Sequence, residues 1–330
     1  MSRLSCLVLG AGLMLLLPLG CVAQSDSQAP IKVGLIGLDT SHVIAFTKAL
    51  NDPSDKDHVE GFQVVAAYKG GSPDVEESWK RVDGYTAELR DKWKIEIVDS
   101  IPTLCSKVDV VMLESVDGRP HLAQVKPVFA AHKPVFIDKP LAGSYRDGKE
   151  IAELGKAAGV PWFTASSLRY WSEVERLKNP QGIGHLLAFD VLGPTIREPH
   201  EPSMFNYGVH AIELLYQLLG RGCQSVSMQT SGNQDVLVAK WNDGRLAAVR
   251  GFSSGLYAFS ITVYGDKRVV HSEEKPEGYG PLLVEIATFF KTHVPPVDND
   301  ESLEVLAFME AADASVARGG VAVPLSEIMK

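Results

Sequence analysis

Hydrophobic positions along the 330-residue chain fall first into short runs separated by helical stretches. Lys32 to Leu38 (KVGLIGL) is a short apolar run that predicts a strand, and Ser41 to Leu50 predicts the helix after it. Gly61 to Tyr68, Val108 to Glu114 and Pro134 to Ile137 predict further strands, with helices over Val75 to Lys94 and His121 to Ala131 between them. Strands that alternate with helices build a parallel, doubly wound sheet. Pro161 to Ser166 fits one more buried strand of that sheet. After Ala157 the pattern changes. From Gly184 onward strands follow one another: His185 to Val191, Ser225 to Thr230, Asp235 to Trp241, Leu246 to Phe252 and Ala258 to Tyr264, with a turn at Asn242-Asp243-Gly244. That succession predicts a large, mostly antiparallel open sheet. Helices over Tyr207 to Leu219 and Leu303 to Arg318 cover one face, and the other is free as the wall of a site or an interface.

At the N-terminus Arg3 precedes an apolar run from Leu7 to Leu19 and then small residues, the pattern of an export signal over residues 1–23. Two processing routes are open. Cleavage after Ala23 leaves Gln24 first, whereas a lipoprotein-type site at Leu19-Gly20-Cys21 acylates Cys21. Pro18, where lipoprotein signals usually carry an aliphatic residue, favours plain secretion, and Arg3 alone makes no twin-arginine signal. Residues 24–30 read as a polar, flexible leader. The expected location is periplasmic or extracellular, soluble or anchored through Cys21. No later apolar run reaches the length of a membrane span. The full chain, at 45% hydrophobic and 22% charged residues, has the balance of a well-packed globular protein. Its net charge of -9, with no cluster of Lys and Arg, excludes nucleic acid as a partner. Cys105 and Cys223 are expected to be buried and unpaired.

A series of ordered landmarks spans nearly all of the mature chain. It opens with Val33-Gly34-Leu35-Ile36-Gly37 and continues through Val110-Val111-Met112-Leu113 and Pro120-His121. Then come Pro134 to Ala142, with Asp138-Lys139-Pro140 at its centre, Arg169, Asn206-Tyr207-Gly208-Val209-His210 and a small-residue stretch from Ala311 to Val323. In order and spacing these resemble the Gfo/Idh/MocA (glucose-fructose oxidoreductase and inositol dehydrogenase) family. The resemblance implies an α/β fold with an N-terminal Rossmann-type domain (31–157) and a C-terminal α+β substrate and oligomerisation domain (158–330). It also implies an NAD or NADP cofactor and a small carbohydrate-like substrate, and the open sheet face points to a homo-oligomer.

Transferred residue by residue, the resemblance makes Lys139 and His210 the catalytic pair, with Asn206 in place of the usual aspartate. An imidazole suits proton transfer near neutrality; an amide orients a hydroxyl without accepting its proton. His121, Arg169, Tyr170 and Trp171 are the expected substrate contacts. The cofactor set is Gly34, Gly37, Asp39, Thr40, Ser41 and His42 at the first turn, Lys69 after the second strand, and Glu114, Asp138 and Lys139 further along. Here the chain departs from the dinucleotide pattern Gly-x-Gly-x-x-Gly, because Gly37-Leu38-Asp39-Thr40-Ser41-His42 puts Asp39 and His42 in the second and third glycine places. A carboxylate at Asp39 is expected to oppose an incoming diphosphate, or else to cap the helix. Lys69, where NAD enzymes usually carry an acid, suits a phosphate and hence NADP. The carboxylates and imidazoles gathered at this sheet edge suit acid/base work or a divalent metal; without a ligand spacing such as His-x-x-x-His, no metal is expected. Two function classes follow. One is an NAD(P)-dependent oxidoreductase of a sugar or cyclitol hydroxyl in the cell envelope. The alternative is a cofactor-independent carbohydrate lyase or hydrolase, or a sugar-binding protein, since an unfolded exported chain carries no cofactor with it.

Overall fold

β1 (Ile31–Ile36) buries Val33, Leu35 and Ile36 completely, so both faces of the strand are covered and its sequence reads as one apolar run. The computed structural model to which it belongs describes Met1, residues 29–178 and residues 180–330. The export signal predicted over 1–23 and most of the 24–30 leader lie outside the described residues. The first half continues as α1 (His42–Asn51), β2 (Phe62–Tyr68), α2 (Glu76–Asp91), β3 (Glu96–Val98), α3 (Ile101–Cys105), β4 (Val110–Leu113), α4 (His121–Ala130), β5 (Val135–Ile137), α5 (Tyr145–Ala158) and β6 (Trp162–Thr164). Its six strands are parallel in the order β3-β2-β1-β4-β5-β6. The order reverses between β1 and β4, the switch point at whose carboxyl edge an open α/β sheet forms its crevice. The sheet runs on through β6, past the boundary expected at residue 157.

A short 3-10 turn (Ser167–Tyr170) and α6 (Ser172–Lys178) lead to β7 (Leu186–Pro194), α7 (Gly208–Leu219), β8 (Cys223–Ser231), β9 (Gln234–Trp241), β10 (Leu246–Phe252), β11 (Ser260–Gly265) and β12 (Val269–His271). α8 (Gly280–Thr292), α9 (Asn299–Ala317), β13 (Val323–Pro324) and α10 (Leu325–Ile328) complete the chain. The second sheet has the order β12-β11-β7-β10-β9-β8-β13 and is antiparallel except where β10 lies parallel to β7. Inward residues such as Leu237, Ala239, Ala247 and Val249 are buried under the helices, whereas Val238 and Leu246 stand exposed on the bare face.

Two helices from the second half reach into the first. α8, which the sequence reading leaves unassigned, places Phe289 edge-on to Phe163 of β6 at 5.0 Å and Phe290 6.3 Å from Phe62 of β2, closing one face of the parallel sheet. α9 lies against both α5 and β8. Its Glu310 accepts the Tyr145 N–H at 2.6 Å, and its Glu304 accepts the N–H groups of Gly222 and Cys223. Cys105 and Cys223 are free and buried, as expected. Among the described residues no helix is long and apolar enough to cross a membrane.

Candidate active site

At the carboxyl edge of the parallel sheet a cavity is lined by Thr40, Ser41 and His42 at the start of α1, Lys139 after β5, and Asn206, Tyr207 and His210 at the start of α7. Glu77 and Arg81 of α2 line it as well, together with Tyr257, Phe259 and Tyr279. The three expected catalytic residues therefore meet, one from the first sheet and two from the second half. His210 Nδ1 lies 2.6 Å from Ser166 Oγ, and Ser166 is fixed in turn by donating its N–H to Glu213 at 2.6 Å. Burial, reinforced by the charge of Lys139, holds the His210 pKa well below its ordinary value. Lys139 Nζ lies 5.8 Å from the centroid of the Tyr207 ring, and among the described residues it has no carboxylate within ion-pair distance.

The turn after β1 explains which parts of the glycine pattern this fold needs. Gly37 has φ 83°, and a Cβ there would lie 2.2 Å from Ser115 Oγ, so the loop after β4 rests directly on it. Gly70 (φ 60°) brings the loop after β2 onto the same turn; its Cβ would lie 3.0 Å from the Gly37 Cα. Ser72 Oγ donates to Asp117 at 2.6 Å, and Arg119 donates to Asp74 at 2.9 Å, so the two loops are tied across the end of β1.

Asp39 departs from expectation. Its carboxylate is fully buried, accepts hydrogen bonds from Ser78 Oγ (2.6 Å) and the Val116 N–H (3.0 Å), and has its pKa raised by burial. It neither faces the cleft to repel a diphosphate nor caps α1, whose N-cap is Ser41 with no side-chain bond. His42 is held inward too, with Nδ1 2.7 Å from Asp138 Oδ2 and its ring stacked on Phe46 at 5.2 Å. Burial opposes charge on this imidazole, but Asp138 outweighs it and the pKa is pushed up to about 10.

The remaining assignments divide. Glu114 and Asp138 lie buried behind His42 rather than on the cavity wall. Lys69 sits at the end of β2 but pairs with Asp83 at 2.6 Å. Gly34 lies within β1, where its missing side chain admits Leu104 and Val108, so its role is packing. The four expected substrate contacts are not in the cavity. His121 is fully buried, its ring nitrogens facing the carbonyls of Leu141 (3.1 Å) and Ser115 (3.0 Å). Arg169 is buried between Glu213 and Glu301, each at 2.6 Å, so its charge is spent inside the fold. Trp171 is a core residue, and Tyr170 lines a separate groove with Pro281 and Val284. The aromatic residues that do line the cavity went unread as a set, because Tyr257, Phe259 and Tyr279 come from loops whose positions depend on tertiary packing. Tyr207 alone had a signal, standing between Asn206 and His210.

An NAD-type group fits part of this site on the residues present. The uncapped N-terminus of α1 opens into the cavity with Thr40 and Ser41, and Arg81 also lines it, a combination that suits a diphosphate. Asp39 is out of the way. The end of β2 offers Lys69 rather than an acid to the ribose.

A parallel Rossmann-like sheet joined to a second, mostly antiparallel sheet, with a lysine from one half and a histidine from the other facing the same cleft, defines the class of α/β fold to which the chain belongs. Residues 31–166 match the family model described as "Oxidoreductase family, NAD-binding Rossmann fold", GFO_IDH_MocA, a match that supports the Gfo/Idh/MocA resemblance over the first half of the chain. An uncharacterized protein of Saccharomyces cerevisiae is 24% identical over 322 residues, which cover 86% of this chain and 88% of that protein. Among solved structures, a probable dehydrogenase from Thermotoga maritima superposes with a TM-score of 0.73 at 18% identity, covering 90% of this chain and 100% of the other. A scyllo-inositol dehydrogenase from Lactobacillus casei, with bound NAD(H) and scyllo-inositol, gives 0.74 at 12% identity over 90% and 99%. At these identities the two structures carry the fold.

Proposed function

We propose that the chain is an NAD(P)-dependent oxidoreductase acting on a hydroxyl group of a sugar or cyclitol. The observation that carries this reading is one shared cavity, lined both by the start of α1, which suits a diphosphate, and by the Lys139–His210 pair, which suits proton transfer. The match of residues 31–166 to an NAD-binding oxidoreductase family model and the scyllo-inositol bound to a structural neighbour support the cofactor and substrate classes.

An NAD-type group, when held at the start of α1, would supply the acceptor for hydride. The chain's own residues do the rest. In the tautomer whose Nδ1–H donates to Ser166 Oγ, the Nε2 of His210 carries a lone pair that can take the substrate's hydroxyl proton. Burial keeps that imidazole neutral and ready to accept. Lys139, with no carboxylate to neutralise it, donates to the reacting oxygen and stabilises the negative charge that develops there. Asn206 orients a neighbouring hydroxyl through its amide. Tyr207, Tyr257 and Phe259, packed edge to face at 5.8 to 6.0 Å, offer apolar surface to the C–H face of a ring.

The reading is tested by thermal-shift titration of the purified chain with NAD and NADP, followed by a panel of inositols and aldoses. Stabilisation by one nucleotide, and reduced-nicotinamide absorbance with at least one polyol, is the expected result. Protection by sugars with no response to either nucleotide would replace it with the cofactor-independent lyase or hydrolase reading.

A further inference from the structure

Behind the cavity wall, the ends of three elements bring together His42, Glu114 and Asp138, whose ligand-type atoms all lie within 4.8 Å of one another. His42 Nδ1 is 2.7 Å from Asp138 Oδ2 and 3.7 Å from Glu114 Oε2. Glu114 is the telling member. Both of its carboxylate oxygens are buried and neither accepts a hydrogen bond, although the side chain has no exposure at all. A buried carboxylate is costly unless it is paired, protonated or coordinated. The neighbouring groups offset its charge only in part: a protonated His42 is bonded to Asp138 rather than to Glu114, and Lys139 acts on both carboxylates through space without an ion pair to either.

We infer that His42, Glu114 and Asp138 bind a divalent first-row cation, such as Zn2+ or Mn2+, at the base of the cleft. One imidazole and two carboxylates are a donor set that such ions accept. Metal–ligand bonds of about 2.0–2.2 Å place ligand atoms roughly 3 to 3.5 Å apart, a range that lies between the two separations from His42 Nδ1, 2.7 Å and 3.7 Å. The surroundings are already built to aim the ligands. Asp138 Oδ1 is held by the Lys139 N–H at 2.8 Å, which turns Oδ2 toward His42 Nδ1, where an ion would displace the shared proton and replace their hydrogen bond, and the His42 ring is clamped between Phe46 and Tyr279. Three protein ligands leave a coordination position for water or a substrate oxygen, and His42 itself lines the cavity. The ion would occupy the side of the turn where the dinucleotide pattern has its third glycine. Sequence spacing hides the site, since each ligand follows a different element. The inference stands whether or not NAD binds, because it concerns groups behind the cavity wall.

The test uses the purified chain stripped with a chelator and titrated with Co2+, Zn2+ and Mn2+ by calorimetry, with bound metal counted by elemental mass spectrometry. One equivalent is expected in the wild type, with affinity at least about tenfold weaker in Glu114→Gln and in His42→Gln. X-ray absorption at the zinc edge of the wild-type chain reads the nitrogen and carboxylate ligands without any variant, so misfolded variants leave the question decidable. No binding by the stripped wild type, unchanged affinity in folded variants, or a zinc shell without imidazole would each overturn the inference.

Discussion

His210 is the residue on which the proposed chemistry turns, and its environment dictates an unusual pH profile. An exposed imidazole gains its proton near pH 6.5 and stops acting as a base. Here burial, with Lys139 adding to it, displaces that titration to more acidic pH. Because the folded pKa lies below the ordinary one, the base form persists as pH falls. Turnover of the best polyol is therefore expected to stay level on the acid side between about pH 8 and about pH 6, and an acid limb centred near 6.5 would remove His210 from the role. Substituting His210→Ala should lower kcat by roughly 10² to 10⁴ while leaving polyol binding within a few fold, read by steady-state rates and calorimetry. Asp39 teaches the converse lesson about single residues. Its sequence position promised repulsion of phosphate, yet two hydrogen bonds to Ser78 and Val116 turn the same carboxylate into an internal brace.

Among elements, the turn at Ser167–Tyr170 does more than connect β6 to α6. Arg169 joins it to Glu213 of α7 and Glu301 of α9, and Glu213 also holds the Ser166 N–H beneath His210. Removing the guanidinium leaves Glu213 buried with only the Ser166 N–H to offset its charge and takes the ion pair from the partly buried Glu301. Arg169→Met is expected to cost about 3–5 kcal/mol, a drop of roughly 10 °C in melting temperature by calorimetry, as a loss of stability rather than of a substrate contact. The elements legible in the sequence were those whose apolar runs reflect local burial. β4 and β5, buried throughout, and β1 and β2, with a mostly buried apolar run, emerged close to their observed limits, as did β9 and β10 from their alternation. The three-residue β3 and β12 left no apolar run because each buries a single residue, Val98 and Val270, whereas the equally short β5 and β6 are buried throughout. α8 was missed because its apolar surface answers a sheet more than a hundred residues earlier in the chain. The parallel β7–β10 pairing is likewise non-local, since strands in succession read as antiparallel by default. At the site, Lys139, Asn206 and His210 were legible from motif order. The buried roles of Arg169, His121 and Trp171 were not, because a polar or aromatic residue in sequence does not reveal whether its partner is a ligand or the protein.

For the molecule as a whole, the bare face of the second sheet matters most. Val238 and Leu246 are exposed there, with Val236 and Leu192 half-buried beside them. We propose that this face joins two copies of the chain through an isologous contact. Light scattering after size-exclusion chromatography is expected to give a dimer or tetramer for the wild type and a smaller species for Val238→Glu; a monomeric wild type would dismiss the proposal. α9 has a different bearing on how the molecule works. Lys139 and His210 belong to opposite halves, and the same rod of helix that accepts the Tyr145 N–H on one side grips β8 and Arg169 on the other. Prising the lysine from the histidine means shearing that strut off a flank, so the spacing of the reactive groups is set by a girder rather than by a hinge.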